Sequence, residues 1–437
     1  MTMKVRLSRT QPTLCVSLDH EPLWFSLTHP TTLNLTQNPN SFSLSLCKKK
    51  KKKNRLCCYV AVRKMGWGWW IQRQCSRWAS SHSFRRILVL TLMVWGGTWG
   101  AEAAQGRGNR GSGCDLFRGS WVADQSYPLY NSSTCPFVER EFACLRNGRP
   151  DLAFAKYRWQ PLGAGGCSLS RFNGRVFLER MRGKTIMFVG DSLSRNQWQS
   201  LTCMLHSAAP DAKYNITRQG DVSTFAFTDY GVKVMLDRNV FLVDVVREPV
   251  GRVLKLDSIQ GGKLWMGIDM LIFNTWHWWN RRGPSQPWDY IQEGKQIYKD
   301  MDRMVAFEKA LTTWAGWVEA NIDPAKSKVF FQGISPSHYN GTLWGEPSAK
   351  SCLGQKQPVP GSTYPGGLPP AVAVLKGVLS KIKKPVVLLD ITNLSLLRKD
   401  GHPSIYGLGG RTAMDCSHWC LAGVPDTWNE ILYNLIL

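Results

Sequence analysis

KTIMFVGDSLSRNQWQSLTCML, residues 184–205, is the stretch whose reading decides the fold. Residues 184–189 form a short, nearly continuous apolar run, as a strand buried on both faces should. The run breaks at Gly190-Asp191-Ser192, and an amphipathic helix through about Leu205 follows. Outward from there, MLIFN (270–274), KVFF (328–331) and PVVLLD (385–390) read as further buried strands. Between the second and third strands, residues 300–320 place Met304, Phe307, Leu311, Trp314 and Val318 at helical spacing. Short apolar strands alternating with helices predict an α/β sandwich around a mostly parallel sheet over residues 181–437.

The 437 residues are 43% hydrophobic and 11% aromatic, enough for a packed core and too much for wholesale disorder. Lys and Arg number 55 against 31 Asp and Glu, a net charge of +24. Residues 1–100 alone carry +14 of this, including the run Lys48 to Lys53, so the later region keeps only +10. A nucleic-acid-binding reading of the whole fold loses its support, although a tail reading of the lysine run stands beside it. Residues 1–64 show no folding pattern. From Met65 a basic, acid-free stretch ends at Arg85-Arg86, an apolar run fills 87–99, and Ala101-Glu102-Ala103 gives a small-x-small cleavage pattern. Residues 65–104 are therefore expected to be a signal peptide or an uncleaved signal anchor. Met65 is the expected working start, and 105–113 a polar, Gly-rich linker.

Of thirteen cysteines, eight follow this leader: Cys114, Cys135, Cys144, Cys167, Cys203, Cys352, Cys416 and Cys420. An even set after a signal predicts four disulfides made in an oxidising compartment. The sequons at Asn131, Asn215, Asn340 and Asn393 agree with secretory passage. Five of the eight lie between 114 and 203, so residues 114–180 are expected to form an irregular, disulfide-held cap. Eight cysteines allow 105 pairings. Rigidity of the C-terminal loop is best served if Cys416 or Cys420 bonds back to the 114–203 group. A zinc site at Cys416, His418 and Cys420 is the competing reading, but no CxxC pair or second His cluster supplies its usual spacing.

Ser192 falls where a buried strand turns into a helix, the place where α/β folds present functional groups. The free N–H groups of that helix start suit an oxyanion or a nucleophile; the plainer reading is that Ser192 only caps the helix. A serine nucleophile needs a histidine base with an acid behind it. Five histidines follow the linker: His206, His277, His338, His402 and His418. His418 stands out, with Asp415 three residues before it and cysteines on either side. The alternative is a surface loop with Asp415 as a cap.

These residues lie in longer motifs. CDLFRGSWV (114–122), YPLYNSSTCPFV (127–138), NGRPD (147–151) and RWQP (158–161) resemble the cysteine-rich N-terminal domain of the plant trichome-birefringence-like family. GDSLSRNQWQSL (190–201), FNTWHWW (273–279), RKDGHPSIY (398–406) and DCSHWCLAGVPDTWN (415–429) resemble its SGNH/GDSL-type (PC-esterase) catalytic domain. The resemblance spans 114–437 and implies polysaccharide O-acetyltransferases with an SGNH-like three-layer fold. It assigns Ser192 as nucleophile, His418 as base and Asp415 as its orienting acid. Asn274, in the NTWHWW block, and the Ser192 N–H become oxyanion-hole donors, with Gly220 the candidate for the remaining glycine donor.

Substrate contacts are expected from Trp276, Trp278 and Trp279, whose competing fate is the core. Arg195, Arg281 and Arg282 are expected to meet acceptor carboxylates, which leans the acceptor toward pectin over xylan; a solvated basic face is the plain alternative. The resemblance implies acetyl transfer in the Golgi lumen, by a type II membrane or signal-cleaved protein, with the cell wall as the other address. No bound cofactor or metal is expected. The donor, which no motif marks, is acetyl-CoA at family level. An acetylesterase using the same residues and a non-catalytic pectin-binding wall protein are the rival functions.

Overall fold

The computed structural model describes residues 114–163 and 167–436 with side chains; before residue 114 it gives only the backbone of strands between Lys4 and Arg77. Those strands pair antiparallel in sheets of three and four. The stretch expected to hold no folded element thus carries strands, along the period-two alternations Leu14, Val16, Leu18 and Phe42, Leu44, Leu46. The apolar run 87–99, the cleavage pattern and the linker lie outside the described residues. No helix among the described residues is long and apolar enough to cross a membrane.

In the larger unit a seven-stranded sheet is built from β1 (Thr185–Val189), β2 (Tyr214–Gln219), β3 (Val222–Phe227), β4 (Val232–Asp237), β5 (Met270–Phe273), β6 (Lys328–Gln332) and β7 (Val386–Leu389), in spatial order 2-3-4-1-5-6-7. Strands 4-1-5-6-7 run parallel, and β2 and β3 add an antiparallel edge. The four strands read from sequence are β1, β5, β6 and β7; the parallel β4 escaped because the exposed Lys233 breaks its apolar run. The edge hairpin escaped because its outer strand is exposed along its whole length and shows no apolar run.

Side-chain alternation splits the core in two. Ile186 and Phe188 of β1 join Ile272 and Phe330 under helices α1 (Gly174–Arg180), α2 (Ser192–Ala208) and α6 (Val424–Ile436). Met187 and Val189 join Phe273 and Phe331 under α3 (Arg303–Asn321) and α4 (Pro370–Leu379), where Phe307, Leu311 and Trp314 pack. This is the three-layer sandwich expected, with α3 where the helical spacing put it. A short helix, α5 (Thr392–Leu396), follows β7.

The cap is less irregular than expected. Asp115–Ala123 and Tyr157–Leu162 pair as an antiparallel ribbon, Trp121 opposite Trp159 with rings edge to face at 5.5 Å. Helix α1 lies inside the range first given to the cap, yet it buries Phe177 and Leu178 in the α2 core and so packs with the sandwich. All eight cysteines are paired: Cys114–Cys167, Cys135–Cys203, Cys144–Cys420 and Cys352–Cys416. Cys420 thus bonds back to the N-terminal group as anticipated. With both sulfurs in disulfides, Cys416 and Cys420 offer no thiolate to a metal.

Candidate active site

The site grows from the end of β1. Gly190 lies so close to the neighbouring strand that a Cβ there would stand 2.3 Å from the Asn274 carbonyl oxygen and 2.5 Å from Ser194 Oγ, so no other residue fits. Asp191 caps α2, its Oδ1 accepting from Leu193 N at 2.9 Å, while Oδ2 accepts from His277 N at 3.3 Å. Ser192 is then the first helical residue, half-buried at the rim.

The C-terminal loop brings the rest. His418 Nε2 lies 2.6 Å from Ser192 Oγ, and His418 Nδ1 lies 2.7 Å from Asp415 Oδ2. The other Asp415 oxygen accepts from His418 N, Ser417 N and Ser417 Oγ, each at 3.0 Å. Burial alone would raise the Asp415 carboxyl; the hydrogen bonds from His418 and Ser417 outweigh it and hold the group well below the usual carboxylate range. For His418, burial works against the charged form, but the Asp415 bond and charge, then Glu141 and Asp191, lift its pKa above the ordinary imidazole value. Nδ1–H bonded to a carboxylate leaves Nε2 free to take a proton from Ser192 Oγ, the polarity a serine acyl mechanism needs.

The main chain of this loop is gripped along its length. Cys416 N donates to Tyr339 Oη at 3.1 Å, and Cys416 O accepts from His338 N at 2.9 Å. His418 O accepts from His402 Nδ1 at 2.6 Å. Trp419 N donates to Asn196 Oδ1 at 2.8 Å, and Trp419 O accepts from Asn196 Nδ2 at 3.2 Å. Cys420 N reaches Gly401 O, and Leu421 N reaches Phe142 O, both at 3.0 Å. Sequence reading missed these partners. Only Asn196 left a signal, one helical turn after Ser192 and so on the same face of α2.

Asn274 follows β5 directly and is fully buried. Its Oδ1 and Nδ2 have no hydrogen-bond partner among the described residues. A buried amide left unmatched is costly. An amide N–H of this kind suits an oxyanion, as does a backbone N–H at a helix start such as that of Ser192.

Other expectations are corrected. Gly220 sits at the exposed tip of the β2–β3 hairpin with φ +57°, making the turn. Two strands separate it from β1, roughly 10 Å at ordinary strand spacing, too far for an oxyanion contact. Trp279 is fully buried, its Nε1 on Thr275 Oγ1 at 2.9 Å and its ring against Phe241 and Phe307. Trp276 is 9% exposed and packs on Phe307 at 5.0 Å. Trp276, the N-cap of the 3₁₀ turn His277–Asn280, and Trp279 within it both pack on Phe307 of α3, leaving Trp278 alone half-exposed, with the Arg281 guanidinium 3.9 Å over its ring. Arg281 and Arg282 are exposed. Arg195 is not free: it pairs with Glu139 at 2.9 Å and with Glu141, tying α2 to the cap. The same cap segment sets the Phe142 ring 5.7 Å from the His418 ring, so the cap supplies one wall of the site. His206 packs between Phe137 and Tyr214, away from the site. Of the sequons, Asn131, Asn215 and Asn340 are exposed, whereas Asn393 spends its Nδ2 on Ser362 O at 2.9 Å.

Comparison with known proteins agrees with this architecture. The PC-Esterase profile, described as a GDSL/SGNH-like acyl-esterase family found in Pmr5 and Cas1p, matches residues 169–435. The PMR5 N terminal domain matches 112–167. Trichome birefringence-like 41 of Arabidopsis thaliana is 66% identical over 326 residues, covering 74% of this chain and 91% of the relative. Trichome birefringence-like 39 of the same plant is 55% identical over 335 residues, covering 77% and 88%. The Arabidopsis protein trichome birefringence is 41% identical over 343 residues, covering 73% and 55%. This supports an acyl-transferring or acyl-ester-hydrolysing chemistry. The chain belongs to the trichome-birefringence-like family of PC-esterase, SGNH-type proteins.

Proposed function

We propose that the protein is an O-acetyltransferase that places acetyl groups on hydroxyls of a plant cell-wall polysaccharide through an acetyl-serine intermediate. The observation that carries the reading is the unbroken hydrogen-bond chain Ser192 Oγ–His418 Nε2, His418 Nδ1–Asp415 Oδ2. His418 takes the Ser192 proton as Oγ attacks the acetyl carbonyl of an activated ester such as acetyl-CoA. It then protonates the departing thiolate as the carbon–sulfur bond breaks. The developing oxyanion is met by the Asn274 amide and the Ser192 N–H. A sugar hydroxyl then gives its proton to His418 and attacks the acetyl-serine, and the proton returns to Ser192 Oγ as that bond breaks.

The half-exposed Trp278 face, backed by Arg281, is the surface best suited to a sugar ring. With Arg195 committed to Glu139 and Glu141, the lean toward a carboxylate-bearing acceptor rests on Arg281 and Arg282 alone. Golgi-luminal residence, with the N-terminal segment as membrane tether or cleaved signal, belongs to the same proposal. The test is incubation of the protein with labelled acetyl donor and de-acetylated xylan, mannan and pectin oligomers. Donor-dependent acetylation lost in Ser192→Ala supports the proposal. Release of acetate from acetylated oligomers with no transfer replaces it by the esterase, and binding without either reaction by the wall protein.

A further inference from the structure

His338 and His402 are fully buried, 0% and 2% exposed, and form a chain that ends on the loop bearing His418. His338 Nε2 lies 2.8 Å from Leu396 O, His338 Nδ1 lies 2.6 Å from His402 Nε2, and His402 Nδ1 lies 2.6 Å from His418 O. A carbonyl oxygen only accepts, so both outer nitrogens must carry hydrogen. The two facing nitrogens need a further proton between them, because bare lone pairs at that separation repel. With all three contacts made, the four nitrogens hold three protons, one more than two neutral imidazoles bring.

We propose that His338 and His402 are a proton-sharing pair that positions His418, holding its main-chain carbonyl and completing all three contacts only when the third proton is bound. This rests on His418 being the base. The aromatic neighbours favour a cation, although burial opposes it. The Trp419 ring stacks on His402 at 4.0 Å and 26°, presenting its negative face. Trp344 and Tyr364 meet His338 edge to face. Among charged groups, Asp400 favours the proton on His338 and Asp415 favours it on His402, while Lys399 and His418 oppose it. Asp400 is shared with Arg398, Arg149 donates to the carbonyls of His402 and Asp400, and the Lys399 ammonium is drawn off to Glu346 and Gln355. Burial is the largest influence and pushes both imidazoles down, His338 to about 4. The third proton therefore enters as the pH falls; the neutral pair keeps two of its three contacts.

The test follows the histidine ring protons by NMR, with amide exchange at 416–420, from about pH 8 down to about pH 3. Two slowly exchanging ring protons from the pair at high pH and three at low pH are expected, with 416–420 amides better protected in acid once intrinsic rates are removed. Two ring protons throughout overturn the proposal. His402→Asn keeps an N–H donor near the Nδ1 position and is expected within about 10-fold of wild-type kcat, whereas His402→Leu loses about 100-fold with KM unchanged. Equal losses in both, or a loss confined to KM, overturn the positioning role. Should His402→Leu not fold, His338→Leu carries the test: protection at 416–420 is expected to lose its pH dependence, and retained dependence overturns the pair. The NMR and exchange readouts need no turnover, so failure of the acetyl-transfer reading leaves them standing.

Discussion

Replacing Cys144 and Cys420 together by Ala removes the only covalent tie from the cap to the loop bearing His418 among the described residues. The bridge spans 276 residues, and both cysteines are fully buried. On the chain-entropy account a loop of that size contributes about 5 kcal/mol by restricting the unfolded chain. Cys135–Cys203 and Cys352–Cys416 shortcut part of the loop, but the dependence is logarithmic, so the figure falls by less than about 1 kcal/mol. That is a large part of the 5–15 kcal/mol typical of a domain. The bridge also fixes residue 420, two positions after His418, against the segment that carries Phe142. Denaturant unfolding with the other disulfides intact should show a loss of roughly 3–5 kcal/mol. Acetyl transfer, measured where the variant is still folded, should fall about 100-fold, because a displacement near 1 Å at a reacting group has that effect. A variant with unchanged turnover and unchanged amide protection at 416–421 would refute the clamp, whatever happened to stability.

Asp415→Asn should lower kcat by about 10²–10⁴-fold and shift the acid limb to lower pH. The carboxylate raises the His418 pKa, and only neutral His418 acts as base, so activity climbs with pH through that raised value; an unmoved limb would count against the pairing. Asn274→Ala should cost about 10²–10³-fold in kcat with little change in KM, read from initial rates. Asp426 and Glu430, buried on α6 against Ser200 and Tyr127, have carboxyls pushed up to about 7 by burial. A raised carboxyl stabilises the fold while protonated, so stability should be greatest near pH 4 and fall as the pH rises toward about 7, by at most about 4 kcal/mol for Asp426. Unfolding free energies equal at both ends, or a slope unchanged in Asp426→Asn, would contradict this. Finally, activity on a pectic acceptor should drop with ionic strength and with Arg281→Ala/Arg282→Ala, whereas a flat salt profile and a preference for xylan oligomers would remove the acidic-acceptor reading.

The sequence by itself determined the elements whose signal is local. Strands β1, β5, β6 and β7 were legible as apolar runs and α3 as a 3.6-residue period, whereas the parallel β4, interrupted by Lys233, was not. The turn that presents Ser192 was legible because strand, glycine and helix cap are contiguous, and the Asp-x-x-His spacing set His418 beside its carboxylate within one short loop. Tertiary structure alone decided what depends on partners far apart in the chain. Nothing around Arg195 shows that cap glutamates some fifty residues earlier claim its guanidinium. The alternation in Trp276–Trp279 gives no hint that a 3₁₀ turn buries two of the three rings. Cysteine spacing leaves 105 pairings, and only folding brings Cys144 to Cys420. His338 and His402 stand in unrelated motifs and become a pair solely because the loops after β6 and α5 meet under Trp419. Local chemistry is written in adjacent residues, whereas burial, ion pairing and shared protons belong to contacts that exist only once the chain has closed on itself.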